Sequence, residues 1–164
     1  MTRDSGDARG PLSPSEIDAL LARPIIARLA TIDDAGHPAI VPVWFEWADH
    51  AFRIVARARA RYVADLVARP RVGLSVLDDS DADRRLQVRG SATVVAGPGP
   101  LAGETLELAR RLALRYEGSP GLDYVERSRS WPRVLVRVEP LAMLTWGSPD
   151  WHERYRGRLP EEAT

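Results

Sequence analysis

No lysine and no cysteine occur among the 164 residues, and each absence narrows what the chain can do. Without cysteine there is no disulfide framework, no thiol nucleophile and no thiolate metal site. Without lysine, all 23 basic residues are arginine. An isolated arginine is then a compositional habit, and only its placement carries information. Those 23 positive charges are matched by 23 carboxylates, so no global charge argues for nucleic acid. No apolar run approaches the roughly 20 residues that span a bilayer. The first ten residues, MTRDSGDARG, lack the apolar stretch of a signal peptide, so a soluble cytoplasmic protein is expected.

Side-chain catalysis finds little support. His37 and His50 fall in apparent turns and His152 in the C-terminal tail, with no paired spacing for a metal. No GxSxG elbow and no glycine-rich phosphate loop is present. The acidic run LDDSDADR (77–84) lacks the glycine and distal glutamate of a calcium loop and reads as a solvated turn. An enzyme with this inventory would depend on a bound cofactor for its chemistry.

The remaining pattern describes one domain. Residues 1–10 are read as a disordered lead-in, 11–147 as the folded unit and 148–164 as a polar tail. In LSPSEIDALL, Ser13, Pro14 and Glu16 form a capped helix start, with Ile17, Leu20 and Leu21 on one face. IIARLATI and AIVPVWFEW read as strands of a hairpin whose turn is built on Asp34, Gly36 and Pro38. AFRIVARA, VGLSVL and RLQVRGSATVV follow as strands; the last places Leu86, Val88, Gly90, Ala92 and Val94 on one face. A helix is expected over 101–116, striped by Leu101, Leu108, Leu112 and Tyr116, with Glu107 and Arg111 paired outside. RVLVRVEPLAMLTW supplies a final strand interrupted near Pro140. About six strands with two or three helices make an α+β protein whose sheet curls into a small barrel. Ile40 to Trp47 is apolar on both faces, as befits a strand central in its own core or one against a partner subunit.

ARARARYVADL (56–66) poses the sharpest question. On a strand, Arg57, Arg59 and Arg61 would point one way, and Arg61 then opens a helix whose free N–H groups favour an anion. The pattern fits a phosphate or carboxylate clamp. It equally fits a solvated edge in a protein without lysine.

LLARPIIARLATIDDAGHPAIVPVWFEW, then ARARARYVADLVARPRVGLSVLDD, LQVRGSATVV and RVLVRVEP with Trp146, resemble in order and spacing the pyridoxamine 5′-phosphate oxidase-like flavin-binding split barrels. The resemblance spans about Leu12 to Gly147 and is greatest to the branch that uses the deazaflavin coenzyme F420. It implies a six-stranded split barrel, usually a homodimer, with the cofactor in a groove at the subunit interface. By position it implies that Val41, Pro42, Val43 and Trp44 lie along the ring and that Val55 and Ala56 touch the ribityl chain. Arg61 and Tyr62 fall where the family's basic pair holds the phosphate, and Gln87 or Arg85 supplies a polar contact. Tyr62 and Ala64 depart from basic residues common in relatives; Tyr62 offers one hydroxyl and no charge. Arg57 and Arg59 are the available compensation. A wide basic strip favours F420, with its longer anionic tail, over FMN.

Trp44 faces either the cofactor or a dimer interface, Trp47 reads as core, and Arg89 and Arg137 as outward residues. The implied activity is hydride transfer between reduced F420 or FMN and a small unsaturated substrate, with no protein residue named as catalytic. The alternative is a cofactor carrier or redox sensor without turnover. Pyridoxamine 5′-phosphate oxidation itself is disfavoured, since the tail lacks that enzyme's end segment.

Overall fold

The computed structural model describes residues 11–78 and 84–147. The expected lead-in (1–10), most of the acidic loop (79–83) and the tail (148–164) lie outside the described residues. Helix α1, Pro14–Leu21, starts as its sequence dictates: the Ser13 hydroxyl accepts from Glu16 N and the Glu16 carboxylate accepts from Ser13 N. Strands β1 (Ala27–Ile32) and β2 (Pro38–Val43) form the expected hairpin. Its turn is held by Asp33 rather than Asp34, since Asp33 Oδ1 accepts from Ala35 N at 3.0 Å and His37 N at 2.8 Å.

The expected strand Ile40 to Trp47 is not one strand. It breaks at Trp44 and Phe45, and the chain resumes as β3 (Glu46–Ala48), paired with β4 (Ala51–Arg57). Helix α2 (Arg61–Ala68), β5 (Arg71–Leu77) and the long β6 (Arg84–Gly99) follow. Helices α3 (Gly103–Glu117) and α4 (Ser119–Arg127) precede β7 (Arg133–Gly147). Strand β7 runs through Pro140 with an irregularity opposite Arg89 and Gly90, a place where a missing N–H is tolerated.

The sheet order is β2-β1-β5-β6-β7-β4-β3. Its two edge strands are therefore neighbours in sequence. Three Cα steps from Val43 to Glu46 bridge at most about 11 Å, so the sheet must curl until its edges approach. The result is an α+β split barrel with seven strands and four helices among the described residues, the extra strand arising from the break at Trp44–Phe45. Leu29, Phe45, Phe52, Ile54, Leu86 and Val136 fill its interior, each at most 1 % exposed. Alternation along β6 is as the sequence implies, with Leu86, Val88, Gly90 and Ala92 buried and Gln87 and Arg89 exposed. No helix among the described residues is long and apolar enough to cross a membrane.

Helices α3 and α4 cover the outer face of β4 and β7, where Leu108 and Leu112 bury against Leu135 with Val55 and Trp44 packed alongside. Arg111 does not pair with Glu107. It reaches Glu46 on β3 through two contacts, 2.7 and 3.0 Å, while Glu107 accepts from Arg110. Fork-to-carboxylate geometry outweighs a flexible neighbour on the same helix. The Arg111 hydrogen bond, aided by nearby Arg53, holds the Glu46 carboxyl below its ordinary 4.5 despite partial burial. A depressed folded-state value stabilises above the unfolded value and is lost on acidification. Acid titration below about pH 4.5 is expected to destabilise the wild type progressively. Glu46→Gln should flatten that limb in urea unfolding measured from pH 3 to 6 (roughly the window of the linkage); an unchanged slope would contradict it.

Candidate functional site

A cleft of about 620 Å³ opens between the end of β2, strand β4, the start of α2 and the α3–α4 pair. Its floor is apolar: Pro42, Val43, Trp44 and Val55 from the barrel face Leu112 and Val125 from the helices. Its other wall is cationic, with Arg57, Arg127 and Arg133 and one carboxylate, Glu117, among the described lining residues. That size falls within the roughly 300–1,000 Å³ of small-molecule sites, and an apolar body with few placed polar groups is their usual chemistry.

Six of the eleven residues expected at a cofactor meet here: Pro42, Val43, Trp44, Val55, Arg57 and Tyr62. Trp44 lies flat on Tyr116, with ring centroids 5.2 Å apart and planes within 1°. The Tyr116 hydroxyl fixes that stack, lying 3.0 Å from Ile25 O and 3.3 Å from Phe45 O and accepting from Phe45 N at 3.4 Å. Burial pushes the Tyr116 and Tyr62 phenols upward, so both present neutral hydroxyls.

The other five lie elsewhere. Val41 packs on the barrel core and Ala56 is 1 % exposed within it, so both side chains face inward. Gln87 sits on the outer sheet face, in a separate depression with Ser75 and Leu144. The three arginines do not share a face. Strand β4 ends at Arg57, and a turn closed by Ala60 N to Arg57 O at 2.9 Å carries Arg59 to the surface before α2 begins. Arg61 turns to Asp34 at 2.8 Å and to Asp65 at 3.6 Å. The strand-to-helix corner is thus partly neutralised by the chain's own carboxylates.

Arg57 behaves differently. Its guanidinium donates to the Tyr124 hydroxyl at 2.9 Å and lies 5.7 Å from the centre of the Trp131 ring. Tyr124, on α4, also receives Arg133 at 3.5 Å. Burial alone would raise this phenol, but the Arg57 hydrogen bond and the charges of Arg57 and Arg133 outweigh it and set it below 10.0. Among the described tyrosines, Tyr124 is therefore expected to ionise first in an ultraviolet pH titration. Arg57→Gln should move that first transition upward; no movement would mean that the guanidinium does not act on it.

Sequence reasoning missed α4 and with it Tyr124, Ser128 and Arg133. Pro120 near the helix start was an available signal, but Gly118 and Gly121 disguise the segment as a turn. Gly121 is needed there because a Cβ would lie 2.7 Å from Ala113 O on α3.

The sequence model of the pyridoxamine 5′-phosphate oxidase family matches residues 13–147. The chain belongs to that family. Among solved structures, an F420 reductase is 28% identical with a TM-score of 0.59, over 77% of this chain and 94% of its own. A conserved hypothetical protein from Mycobacterium tuberculosis is 24% identical with a TM-score of 0.66, over 92% of this chain and 96% of its own. The haem storage protein HutZ from Vibrio cholerae, 19% identical with a TM-score of 0.62 over 82% of this chain and 94% of its own, shares the fold. No curated protein sequence matches the chain.

Proposed function

We propose that this member of the pyridoxamine 5′-phosphate oxidase family is a flavin- or deazaflavin-dependent oxidoreductase, using F420 in preference to FMN. The observation that carries the reading is the cleft: an apolar floor from the ring-facing strand beside a wall of three arginines and one glutamate. Its volume, aromatic stack and cationic wall suit a flat ring with an anionic tail. Kinship with a reductase of F420 supports the deazaflavin.

When bound, the cofactor supplies the hydride, delivered to a small unsaturated substrate. The protein's part is placement. Val55 and Leu112 exclude water from one side of the cleft, and the Trp44–Tyr116 stack fixes its end. Consumption of reduced F420 by a panel of enones, quinones and nitroarenes, dependent on the protein, tests the activity. Tight binding without turnover across the panel would instead support a carrier or redox sensor. That second reading draws on Tyr62 and on the engagement of Arg61 by Asp34, which weaken the phosphate grip at the corner.

The working unit we propose is a homodimer with the cofactor at the interface. Two cross-strand rows cross the outer sheet face: Ile40, Ala30, Gly73, Arg89 and Ala142, and beside it Pro42, Arg28, Ser75, Gln87 and Leu144. Ile40 is 69% exposed and Leu144 46%, and the rows between them carry the small residues Ala30, Gly73, Ser75 and Ala142 beside Arg28, Gln87 and Arg89. Pro42 belongs to this face and to the cleft, so a second copy seated here would border the ligand and bring Gln87 toward it. Sedimentation equilibrium is expected to give a dimer for the wild type and a shift to monomer for Ile40→Glu.

A further inference from the structure

Among the described residues, none of the cleft's arginines Arg57, Arg127 and Arg133 forms an ion pair, and two of them stand together. Arg57 on β4 and Arg133 on β7 are direct cross-strand partners, so their side chains emerge side by side beneath α4. Arg133 is 6% exposed and, among the described residues, meets only neutral oxygens: Ser128 Oγ at 3.3 Å, Trp131 O at 3.4 Å and Tyr124 OH at 3.5 Å. Arg57 meets the same Tyr124 hydroxyl and the same indole, since both guanidinium carbons lie 5.7 Å from the Trp131 ring centre.

Several other arginines of this chain are compensated. Arg53 pairs with Glu46 and Glu104, Arg110 with Glu107 and Glu126, and Arg137 with Glu139. Arg115 lacks a carboxylate but donates at 2.5 and 2.6 Å to the carbonyls of Leu21 and Arg23, at the negative end of α1. Like charges directly opposite on a ladder repel, and a buried cation without a counter-charge is costly. Glu117 forms no ion pair with either arginine among the described residues. Such a pair, open to a cleft, is arranged for an anion that arrives with the ligand.

We propose that Arg57, Arg133 and Ser128 form an oxyanion subsite taking a carboxylate or phosphate group of the molecule held in the cleft. The site is distinct from the strand-to-helix corner, where Arg61 is occupied by Asp34 and Asp65. Two adjacent guanidiniums offer parallel N–H donors to a planar carboxylate or to phosphate oxygens, and the Ser128 hydroxyl adds a neutral one. The oxyanion would take up the charge that Tyr124 now partly screens. The inference rests on the cleft as the ligand site, and not on hydride chemistry.

The test titrates the full chain with inorganic phosphate and with benzoate, against chloride at equal ionic strength, following thermal unfolding and tryptophan fluorescence. Saturable stabilisation beyond chloride is expected for the wild type. Arg57→Gln, an exposed position that leaves the core untouched, should weaken it about tenfold or more, the scale of a lost charged hydrogen bond. Arg133→Gln should do the same, and Ser128→Ala should weaken it less. A wild type responding to phosphate and benzoate only as to chloride would overturn the subsite, as would Arg57→Gln responding like wild type.

Repeating the titrations with FMN and F420 identifies the source of the anion. Competition by phosphate, with weaker cofactor binding in Arg57→Gln, supports the subsite as the cofactor's phosphate site. Unchanged cofactor affinity with retained Arg57-dependent benzoate binding supports it as the substrate's. Arg57-dependent anion binding in a protein that takes neither cofactor supports the subsite while removing the oxidoreductase reading.

Discussion

Phe45→Ala is expected to lower stability by about 3–5 kcal/mol, the cost of emptying a fully buried aromatic site. Phe45 is wholly buried and sits in the two-residue link where the edges of the sheet are drawn together. Its ring packs on Phe52 at 5.2 Å and lies 5.6 Å beneath the Arg115 guanidinium, while its carbonyl lies 3.3 Å from the Tyr116 hydroxyl and 3.4 Å from Arg115. Removing the ring therefore loosens the corner, the end of α1 and the hydroxyl that fixes the Trp44–Tyr116 stack. The cleft should suffer with the fold. Urea denaturation of Phe45→Ala and Phe45→Leu checks this: the alanine variant should lose clearly more than the leucine variant. Loss of less than about 1 kcal/mol, typical of a surface change, would mean that the barrel does not close on Phe45.

Gly97→Ala is expected to be comparably severe. Gly97 has φ +90°, and a Cβ there would lie 2.3 Å from Arg133 O and 3.1 Å from Val134 Cα. Positive φ costs a residue with a Cβ about 1–2 kcal/mol, and the contact with backbone cannot be relieved by rotating a side chain. Strands β6 and β7 must part beside Arg133. A total loss on the order of 3 kcal/mol would lower the thermal midpoint by roughly 6–12 °C in a chain of this size. Gly99→Ala is the control, since its added Cβ meets nothing within 4 Å. Equal midpoints for the two variants would contradict the account of this crossing.

Local signals were the legible ones. The capping box of Ser13 and Glu16 depends on four consecutive residues, and the alternation of β6 on one strand's own period. Both are written in the chain without reference to distant parts. The break at Trp44–Phe45 is not, because Val41 to Phe45 is continuously apolar and the corner is imposed by closure of the barrel. Arg111 finding Glu46 rather than Glu107 is likewise a tertiary choice, made by a carboxylate sixty-five residues away. The arginine trio was misread as sharing a strand face because β4 stops at Arg57. Four residues that the family resemblance singled out, Pro42, Val43, Trp44 and Val55, line the barrel side of the cleft. The helical side, with Tyr124 and Arg133, depends on how α4 folds over β7 and has no sequence motif.

The central claim is that the cleft between barrel and helices holds a flavin or deazaflavin. Equilibrium titration of the apo-protein with F420 and with FMN, followed by tryptophan quenching, tests it most directly, in the wild type and in Val55→Trp, whose larger ring takes up cleft volume. The account predicts micromolar or tighter binding to the wild type, F420 preferred, and at least tenfold weakening in a folded Val55→Trp, a loss of about 1.4 kcal/mol. Binding of neither cofactor by the wild type, or equal binding by a folded Val55→Trp, would contradict it.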